Sequence, residues 1–563
     1  MIETDQKDSQ FVVMAKKQCW IVWGFGCLLF FVIIATTAFA ELSVDFSMES
    51  GFYNKPFLLS MNSEYGEIYY TLDGSKPNNH SIHYEGPILI EDATKNINKY
   101  CMYDDVCLEL KESKDVSLYN KHGYHIPVSQ IDKTTIVRAV AIDNANNISE
   151  ETSAVYFVGY DEKKGYNVFI MTITTDPINL FDSETGIYVL GNCFNESVKD
   201  NKLPLTLNWG WWPANYTQRG RNWEREASVF LFDQHRNLIL TGNFGVRIQG
   251  GSSRGLLPKS LNLFSRKEYG INSSFSEINN LFNWNACSIT LYSGAHSMQT
   301  KLNDYLVNSL CKDLEITTRT FIPIALFLDG EYWGFYWLTP RYEKEFFQAK
   351  YNINKNEIIE IKNGYIEVGE NIDLDTYLDM KEYIISHDMC EADNYQKAKK
   401  LIDINSYIDY YALEIYIANM DWPRNNYNLW RTRYRQTGKY TDTRWRWIVY
   451  DVNLSMNTKE AATDSVQRAI NMDAMFASLM ENDEFKSLFF NRLIELACNH
   501  LNPVRINHFI NDYENKMCDV MRNEYVRFRG SQAIDLFIDG CEDIRDFFAL
   551  RYDYIMGKYG EQN

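Results

Sequence analysis

The sequence predicts an α+β chain: an apolar N-terminal helix, a small all-β (Ig-like) sandwich, then a strand-rich half followed by a helix-rich half. Three observations support this. The chain has 563 residues, more than one hydrophobic core organises, so two or three domains are expected. Residues 19–40 carry no charge. After them the apolar pattern changes from short alternating runs to three-to-four spacing along the chain.

The first element is "CWIVWGFGCLLFFVIIATTAFA", 22 residues at 19–40 and long enough to span a bilayer. Lys16 and Lys17 precede it, and Glu41 and Asp45 follow. That asymmetry puts residues 1–18 in the cytoplasm and exports the rest. The closing "AFA" fits a signal-peptidase site after Ala40, so residues 1–40 read as a cleaved signal peptide or an uncleaved membrane anchor. The expected location is extracellular or at the cell surface.

Residues 41–160 read as the sandwich. "EIYYTLDGSKP" (67–77) is a strand running into the turn dipeptide Asp73-Gly74. "TTIVRAVAIDNANN" (134–147) alternates and then turns, and "TSAVYFVG" (152–159) closes the set. Residues 161–563 form the larger segment. Strands are expected at 166–176, 224–233, 244–255 and 259–266, and "IPIALFLDGEYWGFYWLT" (322–339) is a hairpin about Asp329-Gly330. Helices are expected at 374–387, 404–420, 484–501 and 504–517.

Composition excludes some functions. At 45% hydrophobic and 15% aromatic, the chain can fill large cores and is not disordered. A net charge of −19 argues against nucleic acid as a partner. The eleven cysteines lack CxxC or zinc-like spacing, and mostly free or buried thiols are expected.

Three stretches point to phosphate and metal chemistry. "GGSSRGLLPKS" (250–260) places Gly250, Gly251, Ser252, Ser253, Arg254 and Lys259 between two strands. Glycines let a backbone approach a phosphate, and the cations neutralise it. "NMDWPRNNYNLW" (419–430) follows a helical pattern and sets Asp421 five residues before Asn426, with Arg424 between. Protein kinases use that spacing, the Asp accepting a hydroxyl proton and the Asn holding a metal. "WRWIVYDVNLSM" (445–456) reads as a strand ending on Asp451, suited to hold Mg²⁺ between phosphates. Asp304 reads as a helix-surface acid and His296 as a loop contact.

These stretches, with "FLDGEYWGFYWLT" and "ANYTQRGRNWEREASVFLFD", resemble the kinase-like family of spore coat protein H (CotH) from about residue 165 to 557. "YYTLDGSKP", "HYEGPI" and "TTIVRAVA" resemble the sandwich module of chitobiase and β-hexosaminidase enzymes. The resemblance implies an atypical protein-kinase-like fold transferring the γ-phosphate of ATP to Ser or Thr, with Mg²⁺ or Mn²⁺. It implies Asp421, Lys259 and Arg254 as catalytic residues and Gly250, Gly251, Ser252, Ser253 and Lys259 around the nucleotide. Asp451, Asn426 and Asn453 would hold metal, and the partner would be a Ser/Thr-bearing envelope or coat protein. The chain departs from that pattern at Pro340, where relatives carry a glutamate that Glu343 or Glu345 would have to replace. It departs also at Asn453, where they carry aspartate, and at Ser297. The alternative is a catalytically weakened surface protein that keeps the fold as a binding or structural scaffold.

Overall fold

The alternating segments of 41–160 become nine short strands. The computed structural model describes residues 42–107, 126–127, 129–160, 166–200, 202, 212–270 and 272–560. β1 (Asp45–Phe46) pairs with β4 (Met61–Asn62), and β3 (Phe57–Leu59) with β7 (Ile88–Ile90). A five-stranded sheet runs β2 (Gly51–Tyr53), β9 (Thr152–Val158), β8 (Thr135–Ile142), β5 (Glu67–Thr71), β6 (Ile82–His83). One face, with Val137, Ala139, Ala154 and Tyr156, packs on Leu59 and Ile90 of the small sheet. The other face, with Ile136, Val155 and Phe157, packs on the larger segment.

Seven strands then close a barrel: β10 (Phe169–Thr174), β11 (Arg225–Phe232), β12 (Leu238–Ile248), β13 (Leu261–Phe264), β14 (Ser288–Tyr292), β15 (Ile322–Leu328) and β16 (Glu331–Pro340). The order is β10-β11-β12-β13-β14-β16-β15, with β15 parallel to β10. The Asp329-Gly330 hairpin forms as expected, both residues at positive φ (+45° and +84°), as a tight two-residue turn requires. Side chains alternate between the barrel faces. Ile173, Val229, Val246, Leu263, Ile289, Leu326 and Leu338, one from each strand, share a single cluster, which is the interior. Phe230, Phe327, Phe335 and Trp337 point outward into the second core.

At the sandwich side, Phe157 meets Phe327 edge-on at 5.1 Å. The carboxylate of Glu331 accepts backbone N–H groups of Lys99 (2.5 Å) and Cys101 (2.8 Å).

Beyond residue 340 the chain is less purely helical than its periodicity suggests. β17 (Ile358–Lys362), β18 (Tyr365–Val368), β19 (Asn428–Thr432) and β20 (Arg446–Ile448) form an antiparallel sheet in the order β18-β17-β19-β20. Around it lie the helices Asn371–Ser386, Ala392–Leu401, Ile404–Tyr416, Asp483–Glu495, Pro503–Arg529 and Asp535–Tyr559. Their starts are written in the sequence. Asp403, Asn482 and Asn502 each accept the N–H three residues on, and Pro503 occupies the first turn, where no N–H is needed. The Ile404–Tyr416 helix is buried on nearly every side. It stops before the expected residue 420 because Ala418 turns the chain at φ +49°. Among the described residues no helix is long and apolar enough to cross a membrane, and the run at 19–40 lies outside them.

Candidate functional site

Four segments meet in one cleft: the loop after β12, the end of β14 with its following turn, the helix Asn303–Leu310, and the stretch from Tyr450 to Asn453. Gly250, Gly251, Ser253, Ser260, Tyr292, Asp304, Arg319, Asp451 and Asn453 line a space of about 50 Å³.

The loop after β12 starts at Gly250, whose φ of +122° suits only glycine, and a Cβ there would sit 2.3 Å from Ser253 Oγ. Arg254 sets the loop's shape. Its guanidinium donates to the carbonyls of Gly250 (2.8 Å), Tyr216 (3.0 Å) and Gln218 (2.9 Å). Burial, with Arg219 and Arg247 nearby, pulls its pKa down to about 9. Arg254 is thus turned into the backbone, not toward the cleft, contrary to the sequence expectation.

Lys259 is a second correction. The ladder continues back from β13, with Gln249 N–H donating to the Ser260 carbonyl at 2.7 Å. Alternation then puts Ser260 on the cleft face and Lys259 on the side of Leu261 and Leu263, inside the barrel. The ammonium lies 3.8 Å over the Tyr216 ring and donates to the Arg254 carbonyl at 2.5 Å. Burial pulls its pKa down to about 7. Neither Glu343 nor Glu345 serves it. Glu343 accepts from Ser288, and Glu345 pairs with Lys355 at 3.0 Å. Pro340 ends β16 opposite Ile289.

Asp421 and Asp451 sit on linked loops, although of the two only Asp451 lines the cleft. Asn426 Nδ2 donates to Asp421 Oδ2 (2.8 Å) and to the Asp451 carbonyl (3.2 Å), tying the two loops together. Asn425 Nδ2 donates to the other Asp421 oxygen at 3.0 Å. Both Asn426 (φ +59°) and Asp451 (φ +56°) are left-handed, a conformation that Asn and Asp tolerate better than other non-glycine residues. Asp451 lies three residues beyond β20, not at its end as expected; that turn aims its carboxylate into the cleft. Its Oδ1 is closed off from solvent and accepts no hydrogen bond. Burial, then Asp304, pushes its carboxyl up to about 7.

Asp304 corrects the helix-surface reading. It is 4% exposed and lines the cleft, accepting from Tyr292 Oη at 3.0 Å. Asn453 reaches the same hydroxyl at 3.4 Å. Sequence reasoning also missed Arg319, which lies over the Phe321 and Tyr342 rings at 5.1 Å each and has no partner on Nε. It is the cleft's guanidinium. Arg424, by contrast, is exposed and lines a separate cavity of about 340 Å³ with Trp422, Tyr411 and Trp447. His296 stands on the cleft wall within the turn Ala295–Ser297.

A loop of glycines, a hydrogen-bonded Asp–Asn pair and a buried carboxylate lacking a donor are what a phosphate-and-cation site requires. The model of the CotH kinase protein family matches residues 246–555. The chain belongs to that family. The match begins just before the Gly250 loop and covers every cleft residue named above. The Fn3 associated model matches residues 57–156, the sandwich that precedes the CotH region. No curated protein matches the chain.

The family implies a divalent cation. Among the described residues no group of three or more His, Cys, Asp or Glu side chains is arranged to hold a metal. The orphaned Asp451 Oδ1, with the amides of Asn426 and Asn453 near it, nevertheless fits a hard cation bound through oxygen.

Proposed function

We propose that this CotH-family chain is an exported atypical protein kinase that moves the γ-phosphate of ATP to Ser or Thr of surface or envelope proteins. The single supporting observation is the Asn426 amide, which joins the Asp421 carboxylate to the loop of Asp451, a cleft residue whose buried Oδ1 accepts no hydrogen bond.

In this reading Asp421 orients the acceptor hydroxyl and takes its proton, held in place through Asn425 and Asn426. The hydroxyl oxygen bonds to the γ-phosphorus as the bond to the β-phosphate oxygen breaks, and ADP leaves. Gly250, Gly251 and Ser253 cover the phosphates, and Arg319 stabilises the charge that builds on them. Asp451, Asn426 and Asn453 would hold Mg²⁺ or Mn²⁺, which supplies charge neutralisation when bound. Lys259 and Arg254 act behind this surface, supporting the loop.

One observation favours the scaffold reading: neither Lys259 nor Arg254 faces the cleft, since both turn to backbone carbonyls. Incubating the full chain with γ-labelled ATP and Mn²⁺ decides between them. The kinase reading expects label on the protein or on a Ser/Thr-rich acceptor, and its loss in Asp451→Asn. No label, with no effect of ATP on the melting temperature, would establish the scaffold.

A further inference from the structure

Buried acids in this fold are met in more than one way. Some meet a cation: Glu524 meets Lys301, Asp409 meets Arg492 at 2.7 Å, and Asp373 meets Arg433 at 2.5 Å. Glu360, Glu414 and Asp329 form no ion pair among the described residues: an asparagine amide holds each of the first two, at 2.7 and 2.8 Å, the Thr175 N–H holds the third at 2.8 Å, and each keeps one oxygen without a donor. Asp304 and Asp451 differ in being a pair. They face one small space together, and neither forms an ion pair among the described residues. Their surroundings leave acceptor capacity open. Asp304 takes one good hydrogen bond, from Tyr292, and a long one of 3.4 Å from Val452 N–H. Asp451 Oδ1 takes none. A carboxylate has about four lone-pair sites, so both acids keep acceptor capacity unused.

We propose that Asp304 and Asp451 clamp one divalent cation between them, Asp304 supplying from the Asn303–Leu310 helix the negative charge that Asn453 lacks. This rests on the reading of the cleft as a cation-binding one and adds a ligand to it. The donors of Asp304, Asp451 and Asn453 are oxygen and no thiolate lines the cleft, which suits Mg²⁺ or Mn²⁺ over softer metals. About 50 Å³ holds such an ion with a few waters. Arg319 lines the same space and eases the two like charges without pairing with either, so burying them stays costly unless a closer opposite charge joins them. The position is also built: Tyr292 Oη bonds Asp304 and receives the Asn453 amide, so ligands from two segments share one anchor.

The test is Mn²⁺ binding to the full chain without nucleotide, by calorimetry and by shift of melting temperature. Both Asp304→Asn and Asp451→Asn are expected to weaken Mn²⁺ at least tenfold. Asn453→Asp is expected to tighten it. Asp373→Asn, at a buried acid that pairs with Arg433 and does not line the cleft, is expected to stay within about threefold, separating ligation from a general loss of buried charge. Far-UV circular dichroism of each metal-free variant checks that it is folded. If Asp304→Asn binds as the parent does while Asp451→Asn does not, Asp304 is no ligand and the cleft reading survives. If the parent itself binds no Mn²⁺, both fail.

Discussion

Two buried charged sites stand in the same molecule and are resolved in opposite ways. Lys301 and Glu524 are fully buried, bonded to each other, and further satisfied by the Phe335 peptide, whose carbonyl accepts from Lys301 (2.6 Å) and whose N–H meets Glu524 (2.6 Å). Every strong valence there is closed. Asp304 and Asp451 are two like charges with an open oxygen and no cation in contact. A closed site gains nothing from a ligand, whereas an open one does. Burial of charge is common to both, and lone oxygens without a donor occur elsewhere too, at Asp329 and Glu360; what sets the open site apart is that two acids line one space.

The comparison can be broken most severely at the closed site. Lys301→Met strands Glu524 in the core and should cost about 3–5 kcal/mol of stability in urea melts. Adding Glu524→Gln should recover part of that loss. At the open site the opposite is expected. Asp451→Asn should reduce phosphate transfer by about 10²-fold or more, while the metal-free melting temperature holds or rises because a buried repulsion is relieved.

A third variant sharpens which side of the barrel matters. Lys259→Met should keep transfer within about threefold of the parent per folded molecule, since the ammonium does not reach the cleft. Its signature is pH-dependent. The folded pKa lies near 7, below the ordinary 10.5, so between those values the unfolded chain binds the extra proton. Parent stability should therefore rise with pH across that window, and the Met variant should lack the rise. The smallest effect is expected at Asn425→Ala, where one exposed hydrogen bond to Asp421 is lost: a change of about threefold or less in transfer and about 0.5 kcal/mol or less in stability.

The residues that could be read from sequence share a property: their signal is local. The Asp329-Gly330 hairpin, the Asp and Asn caps and the Asp421–Asn426 spacing each depend on neighbours in the chain. The errors arose where the answer depends on which way one side chain faces. Lys259 and Ser260 are adjacent, and the loop between them and β12 hides the count that assigns a face. Asp304 has ordinary helical spacing, and only the packing of its helix against Tyr292 and Val452 buries it. Arg319 precedes β15 in an irregular stretch with no motif around it. β17 and β18 are four or five residues each, too short for periodicity to separate from helix.

The clasp between sandwich and barrel bears on how this chain can be cut. Ile136, Val155 and Phe157 complete an aromatic wall begun by Phe232 and Phe327, and Glu331 holds two peptides of the sandwich side. An expression fragment starting at residue 161 would leave that wall wet and two carboxylate oxygens unanswered. A shortened kinase-region fragment is thus a poor stand-in for the whole, and its insolubility or inactivity would report the exposed wall before it reported anything about the aspartates.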